Sequence, residues 1–158
     1  DMVVLGPGSL YTSVIPNLLV DGIVDAIRDC NGLKVYVCNV MTQEGETEGY
    51  TVSDHIRAIF EHSSQGLFHL CLTNSSPIPK GVAARYAEEG AELLRCDKEA
   101  CEVLGVEIVN RPVATVKNGY VRHHPGHLAR ELILLHAERS VRIAGEGRAF
   151  RDDIYRME

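Results

Sequence analysis

The residues with the plainest chemistry stand near the start of the chain. Gly6-Pro7-Gly8-Ser9 follows a short apolar run, Met2-Val3-Val4-Leu5, and precedes a helix-like segment from Tyr11 through Ile15, Leu18 and Leu19. Strand, glycine-rich turn and helix, in that order, turn backbone N–H groups and a positive helix end toward an anion. The loop lacks the lysine of a P-loop and the third glycine of a dinucleotide fingerprint, so a plain strand-ending turn stays open as an alternative. Toward the other end stand His123, His124 and His127. His123 and His127 have the i, i+4 spacing of a metal pair on a helix, but Pro125-Gly126 interrupts that helix and favours helix-start histidines over a metal site. Glu46, Asp54 and His55 are the acid–base candidates. Asp54, directly after Ser53, suits a helix N-terminus through the dipole. Glu46, between Gly45 and Thr47, has no partner whose geometry the sequence gives. There is no Ser-His-Asp order and no nucleophile elbow, so no catalytic residue and no metal ligand is assigned.

These residues need elements to hold them. Apolar positions from Ile15 to Ile27 recur at helical spacing, with Pro16 tolerable in a first turn and Asn31-Gly32 as the stop. Leu33 to Val40 reads as a second strand, followed by a polar loop from Met41 to Tyr50. Ser53-Asp54 begins a helix with Ile56, Ile59 and Phe60 on one face, and Leu67 to Leu72 reads as a third strand. A loop from Thr73 to Lys80 leads into a helix from Gly81 to about Gly90. Val106 to Val109 could be another strand. Ala114–Lys117 and Tyr120–Arg122 flank Asn118-Gly119, a strong hairpin signal. From Pro125 onward, Leu128, Leu132 and Leu135 repeat at helical spacing. Strands alternating with helices predict a three-layer α/β, Rossmann-like fold: a mainly parallel sheet with helices on both faces, plus a small β-hairpin. Ligands of such sheets bind beyond the C-terminal strand ends, which selects the loops Gly6–Ser13, Val40–Tyr50 and Thr73–Lys80.

Composition narrows the function classes. The 158 residues suffice for one domain with a real core, and 45% hydrophobic with 24% charged residues is ordinary globular usage. A net charge of -6, with acids spread along the chain, argues against a nucleic-acid footprint, which needs clustered Lys and Arg. No apolar run approaches the roughly 18 residues that span a bilayer. Five cysteines, Cys30, Cys38, Cys71, Cys96 and Cys101, form no C-x-x-C pair and suit a reduced, cytoplasmic protein. A first residue other than Met, in a chain that opens on a sheet strand, is the expectation for a fragment or cleavage product.

Longer segments carry a resemblance. Gly6 to Leu19, Tyr36-Val37-Cys38-Asn39-Val40-Met41-Thr42-Gln43, Gly45-Glu46-Thr47, Ser53-Asp54-His55, Arg85-Tyr86 and Glu89-Gly90-Ala91 together resemble the gluconeogenesis factor family (YvcK-type, within the CofD-like superfamily). The resemblance covers about residues 1 to 137. It implies that residues 1–138 are the C-terminal half of a nucleotide-sugar-binding domain whose N-terminal half is missing. Residues 139–158 would then be an Arg-rich tail, either a helical extension or loosely ordered. It further implies a cytoplasmic metabolic regulator that binds a small-molecule nucleotide sugar, UDP-N-acetylglucosamine in particular, and is linked to carbon metabolism, cell-wall precursor supply and cell shape. No cofactor is required on that reading, and a homodimer is one assembly it admits. The alternative within the superfamily is a phospho-group transferase like 2-phospho-L-lactate transferase, which would use Mg²⁺.

The site implied by the resemblance takes residues from each segment. Gly6 and Gly8 would let the backbone approach a pyrophosphate, with Ser9 and Thr12 donating hydroxyls and Leu10 and Tyr11 completing the turn. Asn39, Thr42, Gln43 and Thr47 would read sugar hydroxyls or a pyrimidine edge, although Asn39 could equally cap its loop. Tyr86 would stack on a base or sugar face, and Arg122 would clamp the pyrophosphate. Family members often carry an acid where His124 stands.

Overall fold

A computed structural model describes residues 1–155, with side chains described through Ser140. Four strands, β1 (Met2–Leu5), β2 (Leu33–Val37), β3 (Leu70–Asn74) and β4 (Glu107–Arg111), form a parallel sheet in the order β1-β2-β3-β4. The register pairs Leu5 with Tyr36, Val37 with Leu72, and Thr73 with Asn110. Strand order that follows chain order has a direct consequence. Right-handed crossovers then place every connection on the same face. That face carries α1 (Ile15–Leu18), α2 (Ile23–Asp29), α3 (Val52–Glu61) and, after α4 (Lys80–Glu88), α5 (Lys98–Val103). Leu10, Ile15, Ile56, Ile59, Phe60 and Cys101 pack there against Leu5, Tyr36, Cys38 and Cys71. Period-2 alternation sends Val35 and Val37 the other way, to join Leu70, Leu72 and Val109. Among the described residues, only the last helix, α6 (Pro125–Tyr155), covers this second face, through Leu128, Leu132 and Leu135. Arg111 bridges to Glu131 and Glu138, and Arg139 to Glu107, which ties α6 to the β4 edge.

The antiparallel hairpin β5 (Ala114–Lys117) and β6 (Tyr120–His123) stands apart from the sheet. Asn118 (φ 52°) and Gly119 (φ 78°) form its turn, as the Asn-Gly signal requires. A third apolar cluster of Val40, Met41, Tyr86, Ala91, Ala114 and Val121 fastens the hairpin and α4 above the strand ends.

Three local expectations change. The segment from Ile15 to Ile27 is two helices meeting at 77°, because Gly22 adopts φ +82° and ends the run. The apolar periodicity passes through that corner, leaving Leu19, Val20 and Ile23 exposed. The third strand starts at Leu70, since Leu67 and Phe68 are buried as loop residues feeding the core. Helix α5 was not legible in its six residues. The cap of α3 is Thr51, whose hydroxyl accepts from the Asp54 N–H while the Asp54 carboxylate accepts from the Thr51 N–H. No single described helix is long and apolar enough to cross a membrane. Of the Arg-rich tail, residues 156–158 and the side chains of 141–155 lie outside what is described.

Candidate functional site

A cleft of about 860 Å³ opens at the C-terminal ends of β1 and β2, beneath α4 and the hairpin. The end of β1 supplies Pro7, Gly8 and Ser9, and the end of β2 supplies Asn39 through Glu44. From above come Tyr86 and Glu89 at the end of α4, and Tyr120 through His123 on β6. Of the residues expected at a site, Gly8, Ser9, Asn39, Thr42, Gln43, Tyr86 and Arg122 are brought together here.

The others are placed elsewhere. Gly6 sits behind the loop with φ +80°, and a Cβ there would lie 2.9 Å from the Val37 carbonyl oxygen. Leu10 is fully buried in the core beneath α3. Tyr11 turns toward α3, its hydroxyl 3.0 Å from that of Tyr50 and its ring edge-on to His62. The hydrogen bond with Tyr50, followed by burial, pushes the Tyr11 hydroxyl up to about 12. Thr12 Oγ1 is 2.5 Å from Ser9 Oγ. Thr47 is fully buried, and its hydroxyl accepts from the Gln43 N–H at 3.0 Å to close a turn of the loop.

Two of the cleft residues are themselves tied down. Thr42 Oγ1 accepts from the Glu92 N–H at 2.8 Å, and the Thr42 N–H donates back to the Glu92 carbonyl at 2.8 Å. Tyr86 Oη accepts from the Val121 N–H at 3.0 Å, locking α4 to β6. Its ring meets that of Tyr120 edge-on at 6.5 Å. Two guanidinium groups in turn stand over the Tyr120 ring, Arg85 at 5.1 Å and Arg122 at 5.3 Å from its centroid. Gly119 makes the room: a Cβ there would meet Arg85 Nη1 at 2.6 Å. Arg85 Nη2 is buried without a hydrogen-bond partner among the described residues. Sequence reading missed Tyr120, although an aromatic residue immediately after an Asn-Gly turn is a usable signal.

Electrostatics divide the cleft. Arg122 supplies a fixed positive charge, whereas Glu44 and Glu89 supply negative ones. Burial lowers the pKa of His123, outweighing a hydrogen bond with the Cys38 backbone, so this imidazole is neutral at the cleft wall. Its Nε2 has no partner among the described residues.

A helical turn over Leu10–Val14 follows the glycine loop and leads into α1, and its N-terminal end is already occupied. Ser9 Oγ donates to the Glu46 carboxylate at 2.5 and 2.7 Å, and the Tyr11 N–H donates to it at 2.7 Å. The anion in this cradle is thus the chain's own side chain, which gives Glu46 the partner that the sequence alone did not show. Asp54 and His55 serve α3. Burial opposes ionisation of Asp54, but hydrogen bonds from Thr51 and Arg57 prevail and hold its carboxyl below the usual range. His55 is fully buried, its Nδ1 3.0 Å from the Thr51 carbonyl, and burial pushes its pKa down. His124 caps α6: its Nδ1 accepts from the His127 N–H at 3.2 Å, and the two rings stack at 3.9 Å. No group of three or more His, Cys, Asp or Glu among the described residues is arranged to hold a metal ion.

Comparison with known proteins agrees with this architecture. The family profile described as 2-phospho-L-lactate transferase CofD matches residues 1–114. The gluconeogenesis factor of Halalkalibacterium halodurans is 44% identical over 133 residues, covering 84% of this chain and 41% of that protein. The gluconeogenesis factor of Bacillus subtilis is 40% identical over 133 residues, covering 84% of this chain and 42% of that protein. A crystal structure of a UPF0052-family protein from Bacillus halodurans superposes with a TM-score of 0.79 at 44% identity, covering 83% of this chain and 42% of that one. The chain spans about two fifths of the length of these relatives and matches their C-terminal part. By these matches, which extend over most of its length, the chain belongs to the CofD family, in company with the bacterial gluconeogenesis factors.

Proposed function

We propose that the cleft binds a nucleotide sugar, with UDP-N-acetylglucosamine the first ligand to try, and that binding serves regulation of carbon metabolism in the cytoplasm. The observation that carries this reading is the convergence, in one cleft, of three kinds of group. Backbone without a side chain comes from Gly8, amides from Asn39 and Gln43, and an aromatic–guanidinium pair from Tyr120 and Arg122. With the helix end taken by Glu46, Arg122 is the natural partner for ligand phosphate, through paired N–H donors. The kinship with gluconeogenesis factors supports the regulatory part; a link to cell-wall precursor supply and cell shape is proposed with it. The additional length of those relatives would supply a further wall and tighten binding.

The test is thermal. A ligand at about 100 times its Kd stabilises the state it binds by about 2.7 kcal/mol, which for a chain of this size raises Tm by roughly 5–10 °C. Arg122→Ala should remove most of that shift. A panel of nucleotide sugars and nucleotides that leaves Tm unchanged defeats the reading. The family profile's own description favours a second reading, transfer of a 2-phospho-L-lactate group from a donor to an acceptor. Product formation from such a pair would select it over the first.

A further inference from the structure

Beyond Asn39 and Val40 lies a second hollow of about 310 Å³, at the C-terminal ends of β3 and β4. Asn39, Thr73, Ser75, Ser76 and Asn110 bring amides and hydroxyls to it, and no Asp, Glu, Lys, Arg or His lines it among the described residues. The main cleft, by contrast, carries Glu44, Glu89, Arg122 and His123. A charged group entering the second hollow would find no counter-charge among its lining residues, whereas a neutral group with donors and acceptors would exchange one set of hydrogen bonds for another.

The polar groups stand on rigid supports. Thr73 and Asn110 are register partners in the sheet, and Thr73 Oγ1 donates to Asn110 Oδ1 at 2.7 Å. That bond orients the Asn110 amide and leaves its amino group free to donate. Asn74 is consumed by structure: its Oδ1 accepts from the N–H groups of Ser76, Val113 and Ala114, which fixes the loop bearing Ser75 and Ser76. Apolar side chains, including Val52, Ile78 and Leu94, offer a surface against which the face of a ring can lie. Asn39 and Val40 line both hollows, so one ligand lying along the C-terminal edge of the sheet can reach from the first into the second.

We propose that this second hollow receives an uncharged, hydrogen-bonding ring, the sugar or the base of a ligand whose phosphates face Arg122. The assignment of a neutral ring follows from the lining; its connection to phosphates rests on the nucleotide-sugar reading above.

Cys96 supplies the reporter, being exposed and part of the lining, whereas Cys30 stands at the opposite end of the sheet after α2. Partial desolvation, then the nearby Asp97 carboxylate, raises the pKa of the Cys96 thiol, so alkylation by iodoacetamide is followed in mildly alkaline solution, peptide by peptide, by mass spectrometry. Saturating UDP-N-acetylglucosamine should slow Cys96 alkylation several-fold and leave Cys30 at its original rate. Protection by millimolar N-acetylglucosamine alone identifies the sugar as occupant, and protection by uridine alone identifies the base. If UDP-N-acetylglucosamine raises Tm but Cys96 reacts at its free rate, the second hollow is refuted and the nucleotide-sugar reading survives. If UDP-N-acetylglucosamine leaves Tm unchanged, the free N-acetylglucosamine and uridine arms decide alone: protection by either keeps the neutral-ring site, and protection by neither removes it.

Discussion

Replacing Glu46 with alanine removes an acceptor that joins two segments of the chain far apart in sequence. Its carboxylate takes the Ser9 hydroxyl at 2.5 and 2.7 Å and the Tyr11 N–H at 2.7 Å, linking the loop after β2 to the turn after β1. Hydrogen bonds to a charged group contribute about 1.5–3 kcal/mol each when well made, and an anion at a helix N-terminus about 0.3–1 kcal/mol. The group is half-buried, so water reaches part of what is vacated, and the net loss should be about 2 kcal/mol rather than the sum. With a urea m-value of about 1–3 kcal/mol per M, the unfolding midpoint should fall by about 1 M at unchanged slope. Glu46→Gln keeps an acceptor for Tyr11 but loses the charge, and should cost about half as much. Alanine also frees the donors, so inorganic phosphate should raise the Tm of Glu46→Ala more than that of the parent. A midpoint within about 0.2 M of the parent, together with an unchanged response to phosphate, refutes the reasoning.

Three further outcomes are expected. His124→Ala should cost about 1 kcal/mol by removing the cap of α6, and His124→Asp should match or exceed the parent, because a carboxylate caps and also meets the positive helix end. Equal stability of parent and alanine variant in denaturant titrations would dismiss the cap. Gly6→Ala forces a side chain onto φ +80° and to 2.9 Å from the Val37 carbonyl, a loss of at least about 2 kcal/mol, visible as a Tm lowered by roughly 4–8 °C. Burial depresses the pKa of both His55 and His123, so the folded state holds them neutral while the unfolded chain protonates them near pH ~6.5. The unfolded state therefore binds more protons. Stability should be complete above that pH and decline on acidification, with a slope reduced in His55→Gln; denaturant melts at stepped pH that are flat through this window would contradict it.

The first three strands were legible because each is built on a short apolar run, whereas β4 (Glu107–Arg111) carries only Ile108 and Val109, and the hairpin was legible because Asn118-Gly119 admits few other conformations. The gathering of Gly8, Asn39, Tyr86 and Arg122 was legible only as loops at strand ends plus a family pattern, since no local rule brings α4 over β2. Other features depend on tertiary choices. Hydrophobic periodicity does not report a corner, so the bend at Gly22 hid inside an apparently continuous helix. The Glu46–Ser9 contact joins residues 37 positions apart, a separation at which no local pattern shows that the Ser9 hydroxyl is taken. Tyr120 became a cleft residue only once Arg85 and Arg122 closed on its ring from separate elements.

The strand order has a consequence for the biosynthesis of this chain. Sequential parallel strands let each newly made strand find its neighbour already present, and their helices close the first face as synthesis proceeds. Val35, Val37, Leu70, Leu72 and Val109 await α6, whose Leu135 is made about 60 residues after Leu72. At roughly 5–20 residues per second, that interval lasts roughly 3–12 s, during which an apolar sheet face stands open on the ribosome. The nascent chain is therefore a natural client for chaperones, and one truncated before α6 should be sticky rather than merely shorter.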